Sequence, residues 1–347
     1  MKNIYNYTLE KLEDYFISIN EKKFKATQIF EWIYKKRITS FDEMSNVKKE
    51  TIEKLKEDFY FGNIKIISEK EGKDVVKFLF NLQDNNKVEA VLMKHDYGNS
   101  LCVSTQVGCN MGCSFCESGR LKKIRNLDVG EMVEQILKIE EILNIRISHV
   151  VLMGIGEPFD NYDNVIDFIR IINSGKGIDI GARHITVSTS GIVPKIEKFI
   201  EDGNQINLAV SLHAPNDEIR NKIMNINKVY NIHSLISVLK KYIEKTNRRV
   251  TFEYIMLEGV NDSKECAIEL ANLLKGMNCY VNLIPYNETS HIEYKKSSKE
   301  NIMKFYDTLK KNNINVTIRR EFGGNVDAAC GQLRANYEEG LLWIILI

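Results

Sequence analysis

The segment Gly108-Cys109-Asn110-Met111-Gly112-Cys113-Ser114-Phe115-Cys116-Glu117-Ser118-Gly119 sets three cysteines in the pattern C-x-x-x-C-x-x-C. Three thiolates this close repel one another and gain most from a positive centre, and cysteine is the usual ligand for iron and sulfur. The glycines at 108 and 112 suit a tight loop around such a body. Structural zinc normally closes a tetrahedron with four ligands, and no fourth cysteine or histidine lies near enough in the sequence to complete one. Two readings follow: an iron–sulfur cluster held by three cysteines with one metal position open, or a structural metal or chance grouping of thiols in a reduced chain.

The chain has 347 residues, 44% of them hydrophobic and 27% charged, which suffices for one large core plus a small appendage. Its seven cysteines, an odd number with three clustered, are unlike the disulfide framework of a small secreted domain and fit a reducing compartment. There is no apolar N-terminal run of signal type. The purely apolar segment Leu341 to Ile347 is too short to span a bilayer, so a cytoplasmic protein with no membrane partner is expected. A net charge of +1 hides basic pairs and triplets at Lys35-Lys36-Arg37, Lys122-Lys123, Arg248-Arg249 and Arg319-Arg320, which would meet phosphates only if the fold gathers them on one face.

Residues 1–62 read as a small lysine-rich helical domain, either a packing module or an RNA-docking one. Leu9, Leu12, Phe16 and Ile19 share one face behind a Thr8 cap, Ile29, Trp32 and Ile33 mark a second helix, and Ile52, Leu55 and Phe59 a third. Residues 63–97 switch to β-type runs, Ile64 to Ile67, Val75 to Leu82 and Val88 to Met93, and read as a short β extension. From 98 to 335 short apolar runs alternate with helical patterns about six times. The fold class is therefore α/β, with a parallel sheet, right-handed crossovers and the form of a partial (β/α)6 barrel; residues 336–347 form a tail.

In such folds ligands gather at the carboxyl ends of the strands, and the conspicuous residues fall there. Gly154-Ile155-Gly156-Glu157 follows the second barrel run, where small residues admit a close ligand and a carboxylate can accept from an ammonium group. Ser188, then Ser211-Leu212-His213, end the next two runs, and Asn287 ends the sixth; each has the plainer reading of a turn or cap residue. Cys330 stands in a glycine-flanked loop, where an isolated cysteine is more often a small buried residue. Glu89, in a strand pattern, reads as a solvated outward glutamate. Cys266 and Cys279 lie away from any motif and read as structural.

The cysteine spacing, with Phe115 before the last ligand, resembles the radical S-adenosylmethionine superfamily. There the open iron of a four-iron four-sulfur cluster is chelated by the amino and carboxylate groups of S-adenosylmethionine. The strings HITVSTSGIVPKI, AVSLHAPND, FEY, GVNDS, VNLIPYN, VTIRREFG and DAACGQLR together resemble the RlmN and Cfr family of rRNA adenine methyltransferases over nearly the whole chain. The resemblance implies a radical S-adenosylmethionine barrel, cluster ligands Cys109, Cys113 and Cys116, and a cofactor pocket of Gly156, Glu157, Ser188, Ser211, Leu212, His213 and Asn287. It implies that Cys330 takes a methyl group from one S-adenosylmethionine, that a second molecule makes it a radical that adds to adenine, that Glu89 accepts a proton, and that Cys102 forms a transient disulfide with Cys330. Adenine carbons 2 and 8 are not nucleophiles that attack a sulfonium methyl, so a radical route meets a real chemical need.

Some positions depart from the family pattern. Glu117 stands where alanine is usual and Asn225 where proline is usual; Ser118-Gly119 leans toward Cfr, while Glu157 to Asn161 and Arg319-Arg320-Glu321 lean toward RlmN. The expectation is methylation of carbon 2 of an adenine in the peptidyl-transferase region of 23S rRNA, with tRNA as a further substrate and flavodoxin or ferredoxin as electron donor. The alternatives are carbon 8 of the same adenine, giving drug resistance, and an RNA-binding protein with a structural metal site.

Overall fold

The computed structural model describes residues 1–203, 205–289 and 291–319. Cys330, Arg320-Glu321 and the apolar tail lie outside them. Three helices open the chain: α1 (Leu9–Ser18), α2 (Phe24–Tyr34) and α3 (Lys49–Asp58). Thr8 caps α1 by accepting from the Lys11 N–H, and Leu12 and Phe16 are its fully buried residues. Ile29 and Ile33 of α2 and Leu55 of α3 are buried in the same way. Trp32 is only half-buried; it lies under the Lys36 ammonium, 3.3 Å from the ring centre. These helices share one continuous buried core with the rest of the molecule, because Ile4, Phe30 and Tyr34 pack in the same cluster as Val133, Phe168 and Ile172.

One sheet of ten strands follows, and its spatial order is the chain order. β1 (Lys65–Glu71), β2 (Val75–Asn81), β3 (Lys87–His95) and β4 (Gly98–Cys102) are antiparallel neighbours. β4 then pairs in parallel with β5 (Ile147–Leu152), across α4 (Glu117–Arg120) and α5 (Val129–Leu143). Each further crossover adds a parallel strand: α6 (Tyr162–Asn173) leads to β6 (Ile185–Thr189), and α7 (Val193–Glu201) to β7 (Asn207–Ser211). Next come α8 (Asp217–Ile223), α9 (Ile232–Thr246), β8 (Val250–Met256), α10 (Lys264–Leu274), β9 (Cys279–Pro285), α11 (Lys299–Lys311) and β10 (Val316–Ile318). Alternating β and α segments with parallel pairing from β4 to β10 make this an α/β fold, a mostly parallel sheet left open between β1 and β10.

The barrel strands are buried on both faces, as parallel strands covered by helices must be; in β7 the successive residues Leu208, Ala209 and Val210, which alternate between the faces, are all fully buried. The edge strand β1 carries Lys65, Glu69, Lys70 and Glu71 instead, charges that discourage pairing with another chain. The β extension joins the barrel without a break. β3 and β4 form a hairpin at Gly98, so one face of β2 and β3 continues the inner wall of the barrel. That continuity positions the site.

Candidate active site

The cluster loop leaves β4 through a two-residue ladder, Gln106–Val107 against Arg125–Asn126, that closes its base. Gly108 has φ of +77°, and a side chain there would meet the Lys122 carbonyl at 2.2 Å, so only glycine turns the chain at this point. Cys109 N–H donates to the Leu121 carbonyl, Cys116 N–H to that of Cys113, and Ser114 N–H to that of Ile223. The loop is thus tied to its own base and to α8. The Phe115 ring stands edge-on to the His213 ring, 5.0 Å between centres.

All three thiols line one cavity of about 330 Å³ at the carboxyl ends of the strands. Gly156, Glu157, Ser188, Ser211, His213 and Asn287 line it too, so side chains far apart in sequence are brought to one place. Leu212 departs from the expectation. Its side chain is fully buried in the core rather than on the cavity, because it points to the face opposite its neighbours'.

Glu157 is buried, with Oε1 accepting from the Phe159 N–H at 3.0 Å and Oε2 from the Ser190 N–H at 2.7 Å. Burial raises its pKa, and these donors to the ionised form pull it back. His213 sits at φ of +57°, with Nδ1 accepting from the Ile255 N–H at 3.1 Å. Burial, then the nearby Arg220, pushes its pKa down to about 3, so the ring is neutral. Asn261, the asparagine of GVNDS, is fully buried and bonds the carbonyls of His213 and Ile255 through Nδ2. That string is therefore a brace for the site.

Sequence reasoning missed Arg220. It is fully buried, and its guanidinium donates to the carbonyls of Leu212, Ser190 and Ser211 and to Asn227 Oδ1 at 2.6 to 3.1 Å. One arginine thus locks the ends of β6 and β7 together. Burial lowers its pKa to about 10, and a negative Cys113 opposes the fall. No motif marks it, since a lone arginine on a short helix usually faces water. Glu253, from the FEY string, also lines the cavity; its Oε2 accepts from Asn282 at 2.8 Å, burial raises its pKa, and Arg319 opposes that.

Glu89 is not the solvated residue its strand pattern implies. It is buried, 3.7 Å from the equally buried Lys77 ammonium, because the extension's inner face is barrel wall. Lys77 lines the cavity and Glu89 does not. Cys102 is buried against Val75 and Met93, both cavity residues, with Val91 and Met153 beside them. Cys266 and Cys279 lie in the main core.

The donor set fits a cluster with S-adenosylmethionine. Burial pushes the Cys109 thiol up to about 12 and Cys113 well above its usual value, and charge on the other cysteines raises both further. Thiolates there need a positive body beside them. Among the described residues no three His, Cys, Asp or Glu side chains converge on a single ion, whereas the thiols stand around one cavity. Ser118 Oγ, also on the cavity wall, is buried with no hydrogen-bond partner among the described residues, as expected of a hydroxyl that a ligand completes.

Comparison with known proteins agrees. The model of the radical S-adenosylmethionine superfamily matches residues 103–271, and that of the ribosomal RNA large subunit methyltransferase N-terminal domain matches residues 2–60. The probable dual-specificity RNA methyltransferase RlmN of Enterococcus faecalis is 56% identical over 343 residues, 96% of either chain. That of Spiroplasma citri is 54% identical, covering 97% of this chain and 99% of its own. The crystal structure of a radical S-adenosylmethionine methyltransferase from Sphaerobacter thermophilus superimposes with a TM-score of 0.89 at 38% identity, over 96% of this chain and 99% of that one. Enzymes of this superfamily use a four-iron four-sulfur cluster and S-adenosylmethionine. With its three thiols on a barrel cavity and full-length identity to these relatives, the chain belongs to the RlmN family of radical S-adenosylmethionine RNA methyltransferases.

Proposed function

We propose that this enzyme methylates carbon 2 of an adenine in the peptidyl-transferase region of 23S rRNA, and an adenine of tRNA, through a methylated Cys330, consuming two S-adenosylmethionine molecules. The observation that carries the reading is one cavity shared by the three cluster thiols and by the inner face of β2 and β3, beside which Cys102 and Glu89 are buried. The large-subunit rRNA methyltransferase match over the N-terminal helices and the dual-specificity name of the relatives support RNA as substrate.

Cys109, Cys113 and Cys116 would hold the cluster. Gly156 gives a close backbone approach, at φ of +110°, and Glu157, Ser188, Ser211, His213 and Asn287 surround the rest of the cofactor, with Leu212 supporting them from the core. When bound, the cluster and S-adenosylmethionine supply a carbon-centred radical. Cys330 carries the transferred methyl on its sulfur; that methyl gives up one hydrogen atom, and its carbon bonds to the adenine. Glu89 takes the proton lost from the ring carbon, and the unpaired electron left on the ring would return to the cluster when it is bound. The Cys102 thiolate then attacks the Cys330 sulfur; the carbon–sulfur bond breaks with its electron pair on the methylene carbon, which takes up a proton to become the methyl group, and the two sulfurs are left as a disulfide. A one-electron donor of flavodoxin or ferredoxin type serves the cluster. No described helix is long and apolar enough to cross a membrane.

The target adenine must be unstacked to enter a cavity at the strand ends, so RNA not yet packed into a finished subunit is the better substrate. The test is mass spectrometry of rRNA digests from cells with and without the gene, against 2-methyladenosine and 8-methyladenosine standards. Appearance of 2-methyladenosine is expected; 8-methyladenosine alone, with resistance to drugs of the peptidyl-transferase centre, would move the enzyme to carbon 8.

A further inference from the structure

The basic pairs of the sequence meet different ends in the fold. Lys36 lies over Trp32, Arg37 pairs with Glu140, Lys123 pairs with Asp160, Arg248 donates to Asn207, and Arg249 lies over the Tyr280 ring, so these cations are taken up by the protein's own groups. Arg319 differs. Its backbone N–H donates to the Leu283 carbonyl at 2.8 Å, while its half-buried guanidinium has no hydrogen bond or ion pair among the described residues.

Strand register places that guanidinium. β9 and β10 pair at Leu283 and Ile318, and the bond from Arg319 carries the ladder one residue past β10, which sets Arg319 beside Ile284 and, one strand further, Ile255. Ile255, Ile284 and Arg319 all line the cavity at the carboxyl ends of the last three strands. Glu253, two residues before Ile255 on β8, lines it as well, with Oε2 held by Asn282. Arg319 is close enough to favour the ionised form of Glu253, yet the two form no ion pair.

A guanidinium left without partners beside two isoleucines gives up hydration for nothing in return, and an apolar residue would fill the place at less cost. Its planar fork matches the oxygens of a phosphate. An adenine splayed into the cavity brings its own phosphates to the rim through its sugar, and a cation there fixes the position of the RNA without reading its sequence. The S-adenosylmethionine carboxylate is the other anion expected in the cavity, but it goes to the open iron at the loop leaving β4, the opposite end of the parallel run from β10.

We propose that Arg319 is a substrate-binding residue whose guanidinium makes a bidentate contact with a backbone phosphate flanking the target adenosine, and so holds the splayed base in the cavity. The inference rests on the RNA substrate of the proposed function. The Glu253 carboxylate lowers the cost of keeping the guanidinium charged in the cavity wall before RNA arrives.

The test pairs a residue with a phosphate. Equilibrium binding of a synthetic large-subunit rRNA fragment carrying the target adenosine is measured across salt concentrations, beside two RNAs with an uncharged methylphosphonate on the 5′ or the 3′ side of that adenosine. Wild type should bind one of the modified RNAs roughly 10-fold more weakly than the native one, the scale of a hydrogen bond to a charged group. Arg319→Met should lose the same factor on native RNA, with the slope of log affinity against log salt shallower by about one. It should not distinguish that modified RNA from the native one. Arg319→Lys should restore the slope and only part of the affinity, since it keeps the charge and loses the fork. S-adenosylmethionine binding should be the same in wild type and both variants. Multiplying losses for Arg319→Met and the methylphosphonates would overturn the contact, and so would a wild type indifferent to both modified RNAs, a result that needs no variant. Weakened S-adenosylmethionine binding with RNA affinity intact would assign the guanidinium to the cofactor's carboxylate and overturn it too. Absence of any methyladenosine in the native RNA after incubation with wild type would sink the proposed function itself.

Discussion

Glu117 and His291 join the cluster loop to the loop that follows Asn287. The Glu117 side chain is 1% exposed, and its Oε1 lies 3.2 Å from His291 Nδ1 while Oε2 accepts from Arg120 at 2.9 Å. Two further bonds stitch the same pair of loops: the Tyr286 hydroxyl to the Phe115 carbonyl, and Ser114 Oγ with the Tyr294 hydroxyl. The residue that departs from the family's usual alanine is therefore part of a seam between two walls of the cavity.

Because Asn287 lies four residues before His291, breaking that seam should loosen the cofactor's far side. Glu117→Ala and His291→Ala should each weaken S-adenosylmethionine binding to the reconstituted enzyme severalfold, with the double variant no worse than either single one. Equilibrium binding with iron content held equal checks this. Additive losses would show that the two residues act separately.

Loss of any one cluster thiol should be all-or-none. Cys109→Ala, Cys113→Ala or Cys116→Ala, reconstituted without oxygen, should hold little iron and cleave no S-adenosylmethionine, measured as 5′-deoxyadenosine. Stoichiometric zinc in wild type, without iron-dependent absorbance, would point to a structural metal instead.

Cys102 and Cys330 should fail at different steps. Cys330→Ala should yield no methylated RNA, whereas Cys102→Ala should accumulate RNA covalently bound to protein, since addition would proceed and release would not. Gel shift under denaturing conditions, followed by nuclease digestion and mass spectrometry, separates the two. Full turnover by Cys330→Ala would end the mechanism.

Glu134 should make stability pH-dependent. It is buried on α5, its Oε1 accepts from the Ile64 N–H at 3.1 Å, and burial lifts its pKa from 4.5 to about 7. A carboxyl raised on folding binds more protons in the native state, so stability is greatest below about pH 4.5 for this group and falls as pH rises toward 7. The loss is on the order of 3 kcal/mol. Glu134→Gln keeps an acceptor for Ile64 and should remove that part of the slope in chemical denaturation between pH 5 and 8. An unchanged slope would show that another group carries it.

Local signals in the chain were enough for a great deal. The cysteine spacing, the alternation of apolar runs with helical patterns and the strand-end strings specify an α/β barrel with its ligands at the carboxyl ends, because each depends on short-range spacing and on the fixed periods of helix and strand. Some strand limits moved by three residues or more, as at β5, which begins at Ile147 rather than Val150, since ladders extend past the apolar run that announces them.

What tertiary structure alone decided is which polar groups are inside. Glu89 has the pattern of a surface residue and Arg220 has none, yet both are buried. The first became inner wall when the antiparallel extension continued the parallel sheet; the second was drawn in by three carbonyls at the ends of β6 and β7. Leu212 turned the other way, into the core, for want of any polar atom in its side chain. Burial of a charge depends on partners supplied by other elements, Lys77 on the neighbouring strand for Glu89 and the backbone of two strand ends for Arg220. Period and composition carry no record of such partners, because the energy that selects them exists only once the sheet has closed around them.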